Sequence, residues 1–184
     1  MTTPRVFVVR HGETEWSLNG RHTGTTELPL TANGEKRIRA TGRALIGDDR
    51  LIVPRNLAHM LVLHFSYIST KKLGLYKLRR YVSPRRRAQR TFELLEVGCR
   101  EKHPWADQGK LPEEEVRTNA NVQITEDIRE WDYGDYEGIT SAEIREQRDK
   151  AGLEPWDIWR DGCPGGEYVH LDPYMSDWKV LKRR

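Results

Sequence analysis

The sequence predicts an α/β protein, and three observations carry that expectation. The first is the apolar run Val6-Phe7-Val8-Val9, which stops abruptly at Arg10-His11-Gly12-Glu13-Thr14. A short apolar run bounded by polar residues reads as a buried strand. The second is a segment beginning at Thr31 with Ile38, Thr41 and Leu45 at spacings of three and four, the period of one helical face. The third is alternation along the chain: strand candidates near 57–60 and at Val122-Gln123-Ile124 flank a helical segment near 86–96. Strands that alternate with helices build an open, largely parallel sheet.

Taken in order, the first strand feeds a loop over residues 10–30 that is rich in Gly, Thr, Glu and Asn. Thr31 is the expected N-cap of a helix reaching Ile46, and Gly47 suits its C-terminal cap. The helix near 86–96 should turn Ala88, Thr91, Phe92 and Leu95 inward. Residues 100–121, with Pro104, Pro112 and the run Glu113-Glu114-Glu115, read as a solvated loop. Thr140-Ser141-Ala142-Glu143 fits a capping box that opens a helix ending near Lys150.

Composition narrows the classes. At 184 residues the chain is one domain by length, and 36% hydrophobic against 32% charged is polar without being disordered. Cys99 and Cys163 supply neither a disulfide framework nor a CxxC metal spacing, and read as ordinary thiols. The N-terminus leads straight into the first strand, with no room for a signal peptide. The longest apolar-rich stretch, Leu57 to Ile68, is broken by His59, His64 and Ser66. No membrane span is expected, and a cytoplasmic location follows. The pI near 8.9 comes from uneven charge. Residues 61–80 hold Lys71, Lys72, Lys77, Arg79 and Arg80 with no acid, and a basic tail closes the chain. No nucleic-acid-binding motif accompanies them, so neither nucleic acid nor membrane is an expected partner.

The chemistry concentrates at Arg10-His11-Gly12. The carboxyl edge of an open α/β sheet is where ligands bind. Gly12 allows close approach, Arg10 offers a planar fork of donors suited to phosphate oxygens, and His11 can act as a nucleophile. Three further blocks follow in order: Arg21-His22-Thr23-Gly24 through Thr31, Ser83-Pro84-Arg85 through Thr91, and Ile128-Arg129-Glu130-Trp131-Asp132-Tyr133-Gly134 through Gly138. Together with the first they resemble the histidine phosphatase superfamily, the phosphoglycerate mutase-like fold, over residues 5–60 and 81–167. The resemblance is nearest to the sedoheptulose bisphosphatase branch.

That resemblance implies a three-layer α/β sandwich with a mostly parallel sheet, incomplete at the C-terminus. It implies hydrolysis of a phosphate monoester on a small sugar bisphosphate through a phosphohistidine on His11, with no metal or organic cofactor. Arg10 and Arg85 correspond to the phosphate clamp and Glu130 to the general acid. Glu130 would need a raised pKa, which burial beside Trp131 or a bound phosphate would provide. Thr23, Gly24 and Tyr133 correspond to substrate contacts. Arg86 and Arg87 read as solvated, Glu126 and Glu137 as surface acids, and Trp16, Trp156 and Trp159 as core. His22, His59, His64 and His103 lack ligand spacing for a metal. The alternative is a cofactor-dependent phosphoglycerate mutase. Ser17 stands where mutases carry asparagine after the tryptophan, and Trp159-Arg160-Asp161 has one arginine where they use two.

Two departures qualify the resemblance. Residues 61–80 are an unmatched insertion within a domain spanning 1–167; excising them joins Met60 to Tyr81 in one strand, so the segment reads as translated intron or another gene-model error, with a genuine surface insertion as the alternative. Residues 168–184 are an unmatched tail. Family members continue to a further buried strand ending in a second catalytic histidine, whereas no His-Gly pair follows residue 12 and His170 reads as a surface residue. A catalytically dead fragment from a faulty gene model is therefore a second expectation, with open sheet edges prone to association.

Overall fold

Phe7 and Val9 alternate with Val8 and Arg10, so one face of the first strand is apolar and packs inward while the other is not. The computed structural model describes residues 6–53, 59–63, 79–97, 121–170 and 179–182. The chain divides into two units, Met1–Thr14 with Glu27–Arg129, and Glu15–Thr26 with Glu130–Arg184.

The first unit holds strands β1 (Phe7–Arg10), β2 (His59–Leu63), β3 (Arg79–Val82) and β4 (Asn121–Ile124) in the order β1-β2-β3-β4. Every pairing is parallel, with Phe7 opposite Met60, His59 opposite Arg79, and Arg79 opposite Asn121. Parallel register brings the carboxyl ends of β1 and β3 to one edge of the sheet. His11 follows the first of these strands and Ser83-Pro84 the second. β2 runs on to Leu63 and β3 begins at Arg79, so both use backbone from the 61–80 segment.

Two helices accompany the sheet. α2 (Ala32–Leu45) is capped by Thr31, whose side chain accepts from the Gly34 N–H. Its inward face differs from the expected one. Thr41 and Leu45 are exposed, while Gly34 and Gly42 are buried along with the half-buried Ile38. The reason is proximity of backbones: a Cβ on Gly42 would lie 2.7 Å from the Leu95 carbonyl, so only glycine fits there. α3 (Arg86–Leu94) buries Ala88, Thr91 and Phe92 as its periodicity predicts, with Leu95 just beyond it. Ala88, Phe92 and Leu95 join Ile52, Val82, Val97 and Val122 in the core, each large apolar group contributing roughly 1.5–3 kcal/mol. β1 is an edge strand among the described residues. Val8 within it and Val6 just before it remain 53% and 59% exposed.

The second unit is built from short elements. A one-turn helix, α1 (Glu15–Asn19), stands inside the region read as loop and ends at Gly20, φ +76°. It is too short to show a period. Single 3-10 turns occupy Glu126–Ile128, in the first unit, and Gly134–Tyr136. α4 (Ser141–Lys150) opens with the expected capping box. In α5 (Ile158–Asp161), Asp157 accepts from the Trp159 and Arg160 N–H groups. β5 (Glu167–His170) and β6 (Lys179–Lys182) form an antiparallel pair, where the sequence predicts only an unmatched tail. The unit's core is Trp131, Tyr136, Ile144 and Cys163, with Trp156 partly buried against it. Trp159, expected in the core, is instead 54% exposed. Among the described residues no helix is long and apolar enough to cross a membrane. Cys99, His64, His103 and most of the 100–121 loop lie outside the described residues.

Candidate functional site

His11 sits one residue past the end of β1 and is 7% exposed. Its Nδ1 lies 2.6 Å from the Gly12 carbonyl oxygen. A carbonyl oxygen only accepts, so Nδ1 carries the proton and Nε2 is the unprotonated nitrogen of the neutral ring. Burial is the largest influence on the ring and lowers its pKa to about 4. The Gly12 bond opposes this, while the charges of Arg87 and Arg10 reinforce it. The imidazole is therefore neutral at pH 7.

The loop that carries His11 is fastened on two sides. The Gly12 N–H donates to Thr91 Oγ1 on α3 at 2.9 Å. On the other side Glu13 accepts from the Thr31 hydroxyl and from Asn33 Nδ2, and the Thr31 N–H donates to the Glu13 carbonyl at 2.9 Å. Thr31, the N-cap of α2, thus holds the loop that carries His11 as well.

The arginines divide differently from the sequence reading. Arg10 is exposed at the carboxyl end of β1. Arg85, expected in the phosphate clamp, lies 3.6 Å from Glu27, whose other oxygen accepts from the Arg86 N–H at 2.8 Å. Arg87, expected to be solvated, is 0% exposed, and its charge is felt by His11. That expectation is corrected. The missed signal was helical: Arg87 stands one turn before Thr91, and so shares the inward face already assigned to Thr91 and Leu95.

The second unit holds the remaining candidates. Glu130 is 1% exposed beside buried Trp131, and its Oε1 accepts from the Trp131 N–H at 2.9 Å. Trp131 Nε1 donates to Cys163 Sγ at 3.2 Å, and burial pushes that thiol up to about 11. Thr23 and Gly24 are both buried. A Cβ at Gly24 would collide with the Trp131 carbonyl, so glycine is what lets these two loops touch. Tyr133 lies against His22, ring centroids 4.7 Å apart, and Trp156 meets the same imidazole edge-on at 5.3 Å. His22 Nε2 is 3.1 Å from Ser141 Oγ, and burial lowers its pKa against the opposing charge of Glu137. The Glu130–Glu137 loop is laced to the 163–167 turn by Asp135 N–H to Pro164 O (2.7 Å) and Asp132 N–H to Glu167 Oε2 (3.1 Å).

Glu137 is not the surface acid the sequence suggested. Its carboxylate accepts from the Gly24 N–H at 2.8 and 3.0 Å and from the Thr26 N–H at 2.9 Å. Glu137→Gln turns an amide NH2 toward those donors. It is expected to destabilise the chain by about 1.5–3 kcal/mol, read from urea unfolding followed by tryptophan fluorescence.

Comparison with known proteins agrees with this architecture. A sequence model described as the histidine phosphatase superfamily (branch 1) matches residues 6–52 and 69–170. The chain is 38% identical over 168 residues to a sedoheptulose 1,7-bisphosphatase of Saccharomyces cerevisiae, covering 90% of this chain and 50% of that protein. It is 32% identical over 166 residues to an acid phosphatase of Mycobacterium tuberculosis, covering 90% and 56%. A 2,3-bisphosphoglycerate-dependent phosphoglycerate mutase of Caulobacter vibrioides is 26% identical over 175 residues, covering 90% and 54%. The solved structure of an open reading frame product of Mycobacterium tuberculosis has a TM-score of 0.53 at 29% identity, covering 89% of this chain and 57% of that one. The chain spans about half the length of the curated relatives it matches. On the family match, and with the α/β fold of its solved relative, the chain belongs to the histidine phosphatase superfamily.

Proposed function

We propose that this chain acts as a phosphatase on phosphate monoesters of small sugar bisphosphates, through a phosphohistidine on His11. The observation that supports the reading best is the state of His11: buried, neutral at pH 7, and tied through Nδ1 to Gly12. Nε2 attacks phosphorus, the bond from phosphorus to the ester oxygen breaks, and Glu130 gives its proton to the leaving oxygen. Water then attacks the phosphohistidine and returns a proton to Glu130. The N–P bond breaks, inorganic phosphate leaves, and the lone pair returns to Nε2. Arg10, Arg85 and Arg87 supply cations for the equatorial oxygens, the main requirement of phosphoryl transfer. Thr23, Gly24 and Tyr133 hold the sugar.

The name of the yeast relative, and its higher identity than that of the mutase, support a sugar bisphosphate as substrate. Arg160 is also engaged by Asp161 at 2.9 Å, which leaves it a poor holder of a second acidic group. The test is incubation of the 184-residue chain with sedoheptulose 1,7-bisphosphate, fructose 1,6-bisphosphate and 3-phosphoglycerate primed with 2,3-bisphosphoglycerate. Phosphate release from the sugars with an acid-labile label on the protein is expected. Interconversion of phosphoglycerates without net release would identify a mutase. A folded chain that neither releases phosphate nor takes up label would be catalytically silent.

A further inference from the structure

Thr91 is fully buried on α3, and its hydroxyl is used twice. It accepts from the Gly12 N–H at 2.9 Å and donates to the Arg87 carbonyl at 2.7 Å, one turn back along the helix. Gly12 is in turn the residue whose carbonyl receives His11 Nδ1. A continuous series of hydrogen bonds thus runs from the backbone of Arg87, through the Thr91 hydroxyl and Gly12, to the imidazole.

We propose that Thr91 is a positioning residue, one that sets the tautomer and direction of His11 by fixing the Gly12 backbone relative to the helix bearing Arg87. Glycine has the softest backbone of any residue, and nothing in Gly12 itself holds its carbonyl toward the ring. The distant hydroxyl supplies that constraint, since pinning the Gly12 N–H limits rotation about the residue that presents the carbonyl. With the carbonyl in place, Nδ1–H is the favoured form and Nε2 keeps its lone pair. The same hydroxyl joins the loop to α3, so nucleophile and buried guanidinium keep one separation. Threonine in a helix commonly spends its hydroxyl on the carbonyl one turn back. Here that local bond also orients the oxygen to accept from a residue 79 positions away.

The catalytic meaning of this arrangement rests on His11 being the phosphoryl acceptor, but its test does not. In the 15N-labelled chain, two-bond nitrogen–proton spectra distinguish the two neutral tautomers, with His11 assigned by its loss in His11→Gln. The parent is expected to show protonated Nδ1. Thr91→Val, close to isosteric but lacking the hydroxyl, is expected to mix the tautomers and to slow labelling of the protein by phosphodonor about 10- to 100-fold with KM little changed. Thr91→Ser is expected to restore both. Should Thr91→Val not fold, Thr91→Ala is read the same way. A parental tautomer in the hydroxyl-free variants would overturn the inference. So would a Thr91→Ser protein that mixes tautomers or fails to fold, since Thr91 would then serve packing alone. Mixed tautomers in Thr91→Val with no label on the parent would leave the positioning role standing and remove the phosphatase reading instead.

Discussion

His11→Ala is expected to leave no phosphorylated protein and to lower phosphate release on the order of 10⁴-fold or more, as removal of a covalent nucleophile does elsewhere. Brief exposure to labelled sugar bisphosphate followed by acid-sensitive detection of the protein label measures the first effect, and steady-state phosphate release the second. The pH profile gives an independent reading of the same residue. Burial, reinforced by the charges of Arg87 and Arg10, holds the imidazole near pKa 4, so its neutral form persists far below the usual histidine range. The acid limb of kcat/KM that belongs to His11 is therefore expected near pH 4 rather than near pH 6.5. A limb near 6.5 would mean that the ring is solvated and the buried arrangement is not the working one.

The same shift makes the fold sensitive to acid. Unfolded, His11 takes up a proton around pH 6.5; folded, it does so only around pH 4. Between these values the unfolded chain binds more protons, so stability falls as the pH drops through that window. The loss approaches about 3 kcal/mol below pH 4. A neutral His11→Gln chain lacks this term. Its urea midpoint is expected to fall less than the parent's between pH 7 and pH 4.5.

The parts of this molecule that sequence reveals are those governed by a period or a cap. α3 is legible because Ala88, Thr91, Phe92 and Leu95 repeat at helical spacing, and α4 because Thr140 and Glu143 satisfy each other's backbone groups. The position of His11 is legible too, since the apolar run Val6-Phe7-Val8-Val9 stops at Arg10-His11-Gly12 and the structure ends β1 at Arg10. Where backbones approach closely, side-chain patterns mislead. Gly34 and Gly42 face inward on α2 because the Glu13 and Leu95 backbones lie against them, yet glycine contributes nothing to a hydrophobic stripe. Long-range polar contacts are equally silent. Glu137 is one acid in an acidic stretch until the fold brings the Gly24 and Thr26 amides to it. The pairing of β5 with β6 is another long-range relation, between short segments that show no period of their own.

Arg87 is where these two kinds of information meet, and its replacement carries the second large effect. Arg87→Met keeps an apolar stem of similar length in a fully buried place while deleting the guanidinium. Loss of a preorganised cation from phosphoryl transfer is expected to lower turnover about 10²–10³-fold. The charge also disfavours protonation of His11, so its removal is expected to move the acid limb of kcat/KM upward in pH. A variant that merely loosened packing would lower activity without moving that limb in the same direction. Arg85→Met is the informative partner. Arg85 already faces Glu27 at 3.6 Å, and a cation so engaged has less to give an incoming phosphate. Its replacement is expected to raise KM by less than about tenfold and to leave the limb in place. If Arg85→Met proves the more damaging of the two, the clamp lies at the start of α3, Glu27 releases it when phosphate binds, and the buried guanidinium serves the fold.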